Sequence, residues 1–131
     1  MKVTVDTSVL VRAVVRDDKK QAEAAAKLLR SADLLAVAVS SLCELVWVLR
    51  RAYGFSATEA AAAIRALIGA GNVAVDRPAV EAGLAMLDAG GDFADSLIAY
   101  EGKWLGAERF VSFDKKAVEM LIELGQTARL L

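Results

Sequence analysis

Histidine is missing from all 131 residues, and cysteine and proline occur once each. The first absence removes serine–histidine and cysteine–histidine nucleophiles and every zinc site that needs an imidazole. The single Cys43 rules out an intramolecular disulfide and a thiolate zinc cluster, which suits a reducing cytosol and a cytoplasmic protein. Excess charge is lacking too: 16 Lys and Arg face 17 Asp and Glu, for a net charge of −1. A broad basic face that wraps nucleic acid is therefore not expected, although a small basic rim around a site is compatible with this balance. Long apolar runs are also absent. The most apolar stretch, from Leu34 to Leu49, is interrupted by Ser40, Ser41 and Glu44 and is short for a bilayer, so no membrane partner is expected. No signal peptide is visible, because strand-like residues begin at Lys2. Hydrolytic chemistry, if any, is left to carboxylates, hydroxyls, lysines or oxygen-ligated metals.

What is present is a chain 56% hydrophobic and 25% charged, the composition of one well-packed domain spanning residues 1–131. "KVTV" (Lys2–Val5) alternates like a short strand, and "DTSVLVRAVV" starts a helix capped by Asp6 or Thr7. Residues Asp17–Ala32 have helical spacing, and "LLAVAV" (Leu34–Val39) is an apolar run of strand length. Ser40 and Ser41 open the next helix, which Gly54 closes. "SATEAAAAIRALIGAG" begins with a capping box from Ser56 to Glu59. Val73–Val75 reads as a strand, followed by a helix with Pro78 in its first turn and another starting near Asp92. "RFVSF" (Arg109–Phe113), "DKKAVEMLIELG" and "TARLL" complete a strand–helix–strand ending. Such alternation predicts an α/β fold with a mostly parallel central sheet of about five short strands flanked by helices.

In a parallel sheet, ligands bind beyond the carboxyl ends of the strands, and acids recur there. Asp6 and Asp114 each follow a strand, Glu44 lies early in the helix after "LLAVAV", and Asp92 and Asp95 stand three apart at a helix start. Glu44 is the sole charge between Asp33 and Arg50, among Leu, Val and Trp, where an unpaired carboxylate is costly. Capping explains each acid singly: Ser41-x-x-Glu44 fits a capping box, Asp92-x-x-Asp95 an acidic version, and Asp6 and Asp114 are ordinary N-caps. Convergence of acids from neighbouring strands would need more than capping, because adjacent carboxylates repel unless a cation intervenes. Oxygen-only ligands select a hard divalent ion, Mg2+ or Mn2+. Such ions activate water and neutralise a leaving oxygen in phosphodiester hydrolysis, with no histidine required.

The ordered segments "VDTSVLVR", "SSLCELVWVL", "DFADSLIA" and "VSFDKKA" resemble the PIN-domain nucleases, and within them the compact VapC-type toxins of toxin–antitoxin pairs. The resemblance covers nearly the whole chain. It implies a PIN-like fold and metal-dependent endoribonuclease activity, with Asp6, Glu44, Asp95 and Asp114 as the acidic quartet that holds Mg2+ or Mn2+. Asp92 matches a further acid of this subgroup, as metal ligand, indirect support or N-cap. Ser8 and Ser112 match small polar residues beside the acids, with local turn bonding as the alternative. The resemblance also implies an RNA substrate, a homodimer and a cognate antitoxin partner.

Arg12 and Arg16, and Lys115 and Lys116, are the candidates for RNA phosphate contact, against the commoner fate of a solvated helix face. Trp47, Trp104, Tyr53 and Phe93 are available to stack on unpaired bases, but Trp47, in an apolar stripe, is expected in the core or at a dimer interface. A PIN-like binding module whose acids only cap helices is the alternative to an enzyme. A phospho-aspartate receiver fits less well, since its lysines would lie only beyond Asp114.

Overall fold

A computed structural model describes all residues, 1–131, and contains seven helices and five short strands. Every strand pairing is parallel, as the alternation predicts, with the strands joined in one set of three and one of two. The chain divides into two compact units, Met1–Asp76 and Arg77–Leu131.

In the first unit, β1 (Lys2–Thr4), β2 (Leu34–Ala36) and β3 (Val73–Ala74) form a sheet in that order. The register pairs Lys2 with Leu34 and Thr4 with Ala36, so β1 and β2 end level with each other. Helix α1 (Thr7–Val15) leaves β1 after Asp6, buries Leu10 and Val11, and ends at Arg16 in a left-handed conformation with φ 60°. Helix α2 (Lys19–Ser31) is capped by Asp18, whose carboxylate accepts from the Gln21 N–H at 3.0 Å. It packs on α1 through buried Ala22 and Ala25, whose small side chains allow close approach. The Asn72 amide donates to the Leu29 and Ala32 carbonyls at 2.8 and 3.0 Å, satisfying acceptors that the end of α2 leaves open.

Helix α3 (Val39–Arg51) follows β2, and here two expectations are corrected. The apolar run from Leu34 does not continue as strand to Val39. β3 offers only two residues for pairing; after Val37 donates to the Ala74 carbonyl at 3.0 Å the ladder has no further partner, and the chain turns into α3. Nor do Ser41 and Glu44 form a capping box. The N-cap is Ala38, which has no side-chain bond to give, and Glu44 lies in the second turn. Leu42, Leu45, Val46 and Leu49 form the buried stripe, each worth about 1.5–3 kcal/mol of burial. The C-cap is Ala52; Gly54, at φ 68°, then reverses the chain so that the Phe55 N–H reaches the Leu49 carbonyl at 2.9 Å. Helix α4 (Ala57–Ile68) opens with the expected capping box, Ser56 and Glu59 bonding reciprocally at 3.0 and 3.1 Å.

In the second unit, α5 (Arg77–Asp88) carries Pro78 in its first turn and packs against α6 (Phe93–Trp104). Gly83 makes that contact possible: a Cβ there would lie 2.6 Å from the buried Phe93 ring. Strand β4 (Phe110–Ser112), helix α7 (Lys115–Glu123) and strand β5 (Ala128–Leu130) follow, with Phe110 opposite Ala128 and Ser112 opposite Leu130. No helix is long and apolar enough to cross a membrane.

Candidate metal-binding acids

Within the first unit, Asp6 stands two residues beyond β1, at the edge where β2 also ends and α3 begins. Its Oδ2 accepts from the Ser8 hydroxyl at 2.7 Å and from the Ser8 N–H at 3.2 Å. These bonds favour the ionised form: the Ser8 hydroxyl, then its amide, hold the Asp6 carboxyl below its usual range. Ser8 thus acts directly on Asp6, and Asp6 is at once N-cap and ionised acid. Glu44 is exposed, contrary to the buried setting that its apolar neighbours suggested. At the fourth residue after Ser40 it falls on the outer side of α3, while its neighbours in sequence face the core. The surroundings of Glu44 therefore do not by themselves call for a metal.

The second unit gathers three acids. Asp92 caps α6, accepting from the Ala94 N–H at 2.7 Å and the Asp95 N–H at 3.3 Å. Asp114 caps α7 through the Ala117 N–H at 3.1 Å, and its own N–H donates to the Ser112 hydroxyl oxygen at 2.9 Å. Ser112 therefore fixes the Asp114 turn through its backbone. Asp95 differs from these. It is half-buried in the first turn of α6, and its carboxylate caps nothing and has no ion-pair partner. Burial, then the nearby charge of Asp92, then that of Asp114, push its carboxyl above the usual range. A group raised in this way sits where a cation would be favoured. The donor set, carboxylates and hydroxyls alone, fits a hard divalent ion. The side chains do not stand as a ready ligand cage, since no group of three or more His, Cys, Asp or Glu is arranged to hold a metal.

The basic candidates divide. Arg12 is engaged: its guanidinium donates to Asp17 and Gln21, each at 2.8 Å, and to the Tyr53 hydroxyl at 3.3 Å, while Tyr53 donates to Asp17 at 2.9 Å. Phosphate contact by Arg12 would have to break that network. Sequence reasoning missed it, because Tyr53 is separated from Asp17 by 36 positions and no local pattern links them. Arg16 is exposed at the α1 C-cap, Lys115 approaches Glu119 at 3.8 Å, and Lys116 is exposed. Trp47 is not in the core; it is 62% exposed.

No curated protein matches the chain. The PIN domain family, however, matches residues 3–120. That span runs from β1 into α7 and includes Asp6, Glu44, Asp92, Asp95 and Asp114. PIN domains are nuclease-type domains, generally metal-dependent hydrolases that use divalent ions. With nine-tenths of its length matched and its parallel α/β topology in place, the chain belongs to the PIN domain family.

Proposed function

We propose that the protein is a Mg2+- or Mn2+-dependent endoribonuclease that cleaves RNA phosphodiester bonds, with Asp6, Glu44, Asp95 and Asp114 as the acids on which hydrolysis depends. The observation that carries this reading is Asp95. Capping accounts for Asp6, Asp92 and Asp114, but a half-buried carboxylate pressed by two others and paired with no cation serves no structural purpose. A binding module would gain stability by losing it.

The bound ion would lower the pKa of a water and neutralise the leaving oxygen. The chain's own part is to position the acids. Ser8 holds Asp6 ionised with one carboxylate oxygen already occupied, leaving the other for a ligand. Asp92, tied to the α6 amides, is both cap and neighbouring charge for Asp95. Ser112 sets the backbone at Asp114.

By its resemblance to the compact VapC toxins, the same reading makes the chain the toxin of a type II toxin–antitoxin pair, a homodimer that inhibits translation and growth until a cognate antitoxin covers it. RNA cleavage by purified protein is the test. Activity with Mn2+, abolished by EDTA and by Asp6→Asn, is expected; cleavage that survives both would overturn the metal mechanism. Growth arrest on expression, relieved by the product of an adjacent small gene, would support the toxin role.

A further inference from the structure

Ser40, Glu44, Trp47 and Arg51 recur at four-, three- and four-residue steps along α3, so they share one face. All four are exposed, and the buried stripe of Leu42, Leu45, Val46 and Leu49 occupies the other side. Both tryptophans are exposed, Trp47 at 62% and Trp104 at 77%, although their large apolar area gains most from burial; Trp47 is the one that shares a helix face with Glu44. One turn before Trp47 stands an acid of the nuclease reading, and one turn after it an arginine whose side chain makes no hydrogen bond or ion pair. Glu44 and Arg51 lie about 10 Å apart along the helix axis.

From this arrangement we infer that the outer face of α3 is a subsite for single-stranded RNA, in which Trp47 stacks on a base beside the scissile phosphate and Arg51 meets the next phosphate. The inference rests on the nuclease reading of Glu44. An indole face accepts any unpaired base, and a free guanidinium matches a phosphate while the remaining charges of the chain nearly cancel. A base already paired in a duplex has no face to offer the indole, so the strand must be single. A second copy of the chain is the competing occupant. Seated on Trp47, it would also cover Glu44, which shares the face and must reach substrate.

The experiment reads binding without cleavage. In EDTA, the fluorescence of Trp47 is followed in a Trp104→Phe background as a twelve-nucleotide oligoadenylate is added. Single-stranded RNA is expected to quench it, and a pre-formed duplex of the same length is not. Trp47→Leu, which keeps apolar bulk without an aromatic face, is expected to weaken binding of fluorescein-labelled oligoadenylate about 5- to 150-fold, the range of one lost stack. Trp47→Phe should retain most of it. Arg51→Gln should lower the slope of log affinity against log salt by about 0.7. The inference is overturned by an absent quench with Trp47→Leu binding as wild type. It is equally overturned if Trp47→Leu lowers the sedimentation coefficient while leaving RNA affinity intact, which assigns the face to a second copy. Quenching in a protein that lacks metal-dependent cleavage would leave the subsite standing and defeat the nuclease reading alone.

Discussion

Asp95 and Glu44 carry the same charge under opposite conditions, and substitution should separate them. Asp95 is half-buried with its carboxyl raised, first by burial and then by Asp92 and Asp114. Its folded-state pKa thus lies above its unfolded value, so the folded chain binds the proton more tightly. Stability falls as pH rises through the raised value and is recovered on acidification. Asp95→Asn should therefore abolish cleavage and raise the melting temperature by a few degrees at pH 7, with the gain shrinking toward pH 4; thermal melts across that range check it, and a loss of stability at neutral pH would make Asp95 structural. Glu44→Gln should also abolish cleavage, but with a stability change within about 0.5 kcal/mol, because the side chain is exposed and caps nothing. Denaturant unfolding decides that case. The order and spacing of both acids, which the matched family span includes, were legible in the chain. Their environments were not. Glu44 looked buried because its sequence neighbours are apolar, whereas a helix turns adjacent residues to different faces and sets Glu44 off the stripe of Leu42, Leu45, Val46 and Leu49.

Helix ends show where local sequence governs structure and where long-range pairing overrides it. Asp6, Asp18, Ser56, Asp92 and Asp114 all cap as their residue types predict, because the partner N–H lies two or three positions away. The start of α3 was misread because β2 stops where β3 runs out of residues, and that limit is set 38 positions later in the chain, where Ala74 pairs with Ala36. The price is a helix whose N-cap, Ala38, makes no side-chain bond, although its φ of −71° and ψ of 142° already suit a capping residue. Ala38→Ser is expected to stabilise the fold by about 0.5–1 kcal/mol, measured as a shift in the urea midpoint at unchanged slope. Gly83→Ala should do the reverse. Helix propensity would favour alanine by about 1 kcal/mol, but its Cβ would lie 2.6 Å from the buried Phe93 ring. Overpacking of this kind costs about 1–3 kcal/mol, so a net loss and a loosened contact between α5 and α6 should follow; an unchanged or raised melting temperature would show that the ring gives way.

At the scale of the whole molecule, five short parallel strands and an ordered set of acids identify a PIN domain, and both features were readable because alternation and motif order survive without knowledge of contacts. The electrostatic state of the acids was not readable, since it depends on which carboxylates the folded chain brings together. That state yields the last expectation. If the acids hold a divalent ion as proposed, the ion binds them ionised and only the folded chain presents them together, so saturating metal should raise stability by mass action. With free Mn2+ at a hundred times its dissociation constant, the gain is about 2.7 kcal/mol, or roughly 10 °C in melting temperature for a chain of this size. EDTA should reverse it. Protons compete for the same oxygens, and Asp95 takes its proton at higher pH than an ordinary aspartate, so the metal-induced shift should shrink on acidification from that end of the carboxylate range. Asp95→Asn removes the repulsion and, on the nuclease reading proposed above, a ligand. The variant should therefore melt higher than wild type without metal and gain less when metal is added, a crossing of the two curves that a purely structural aspartate would not produce.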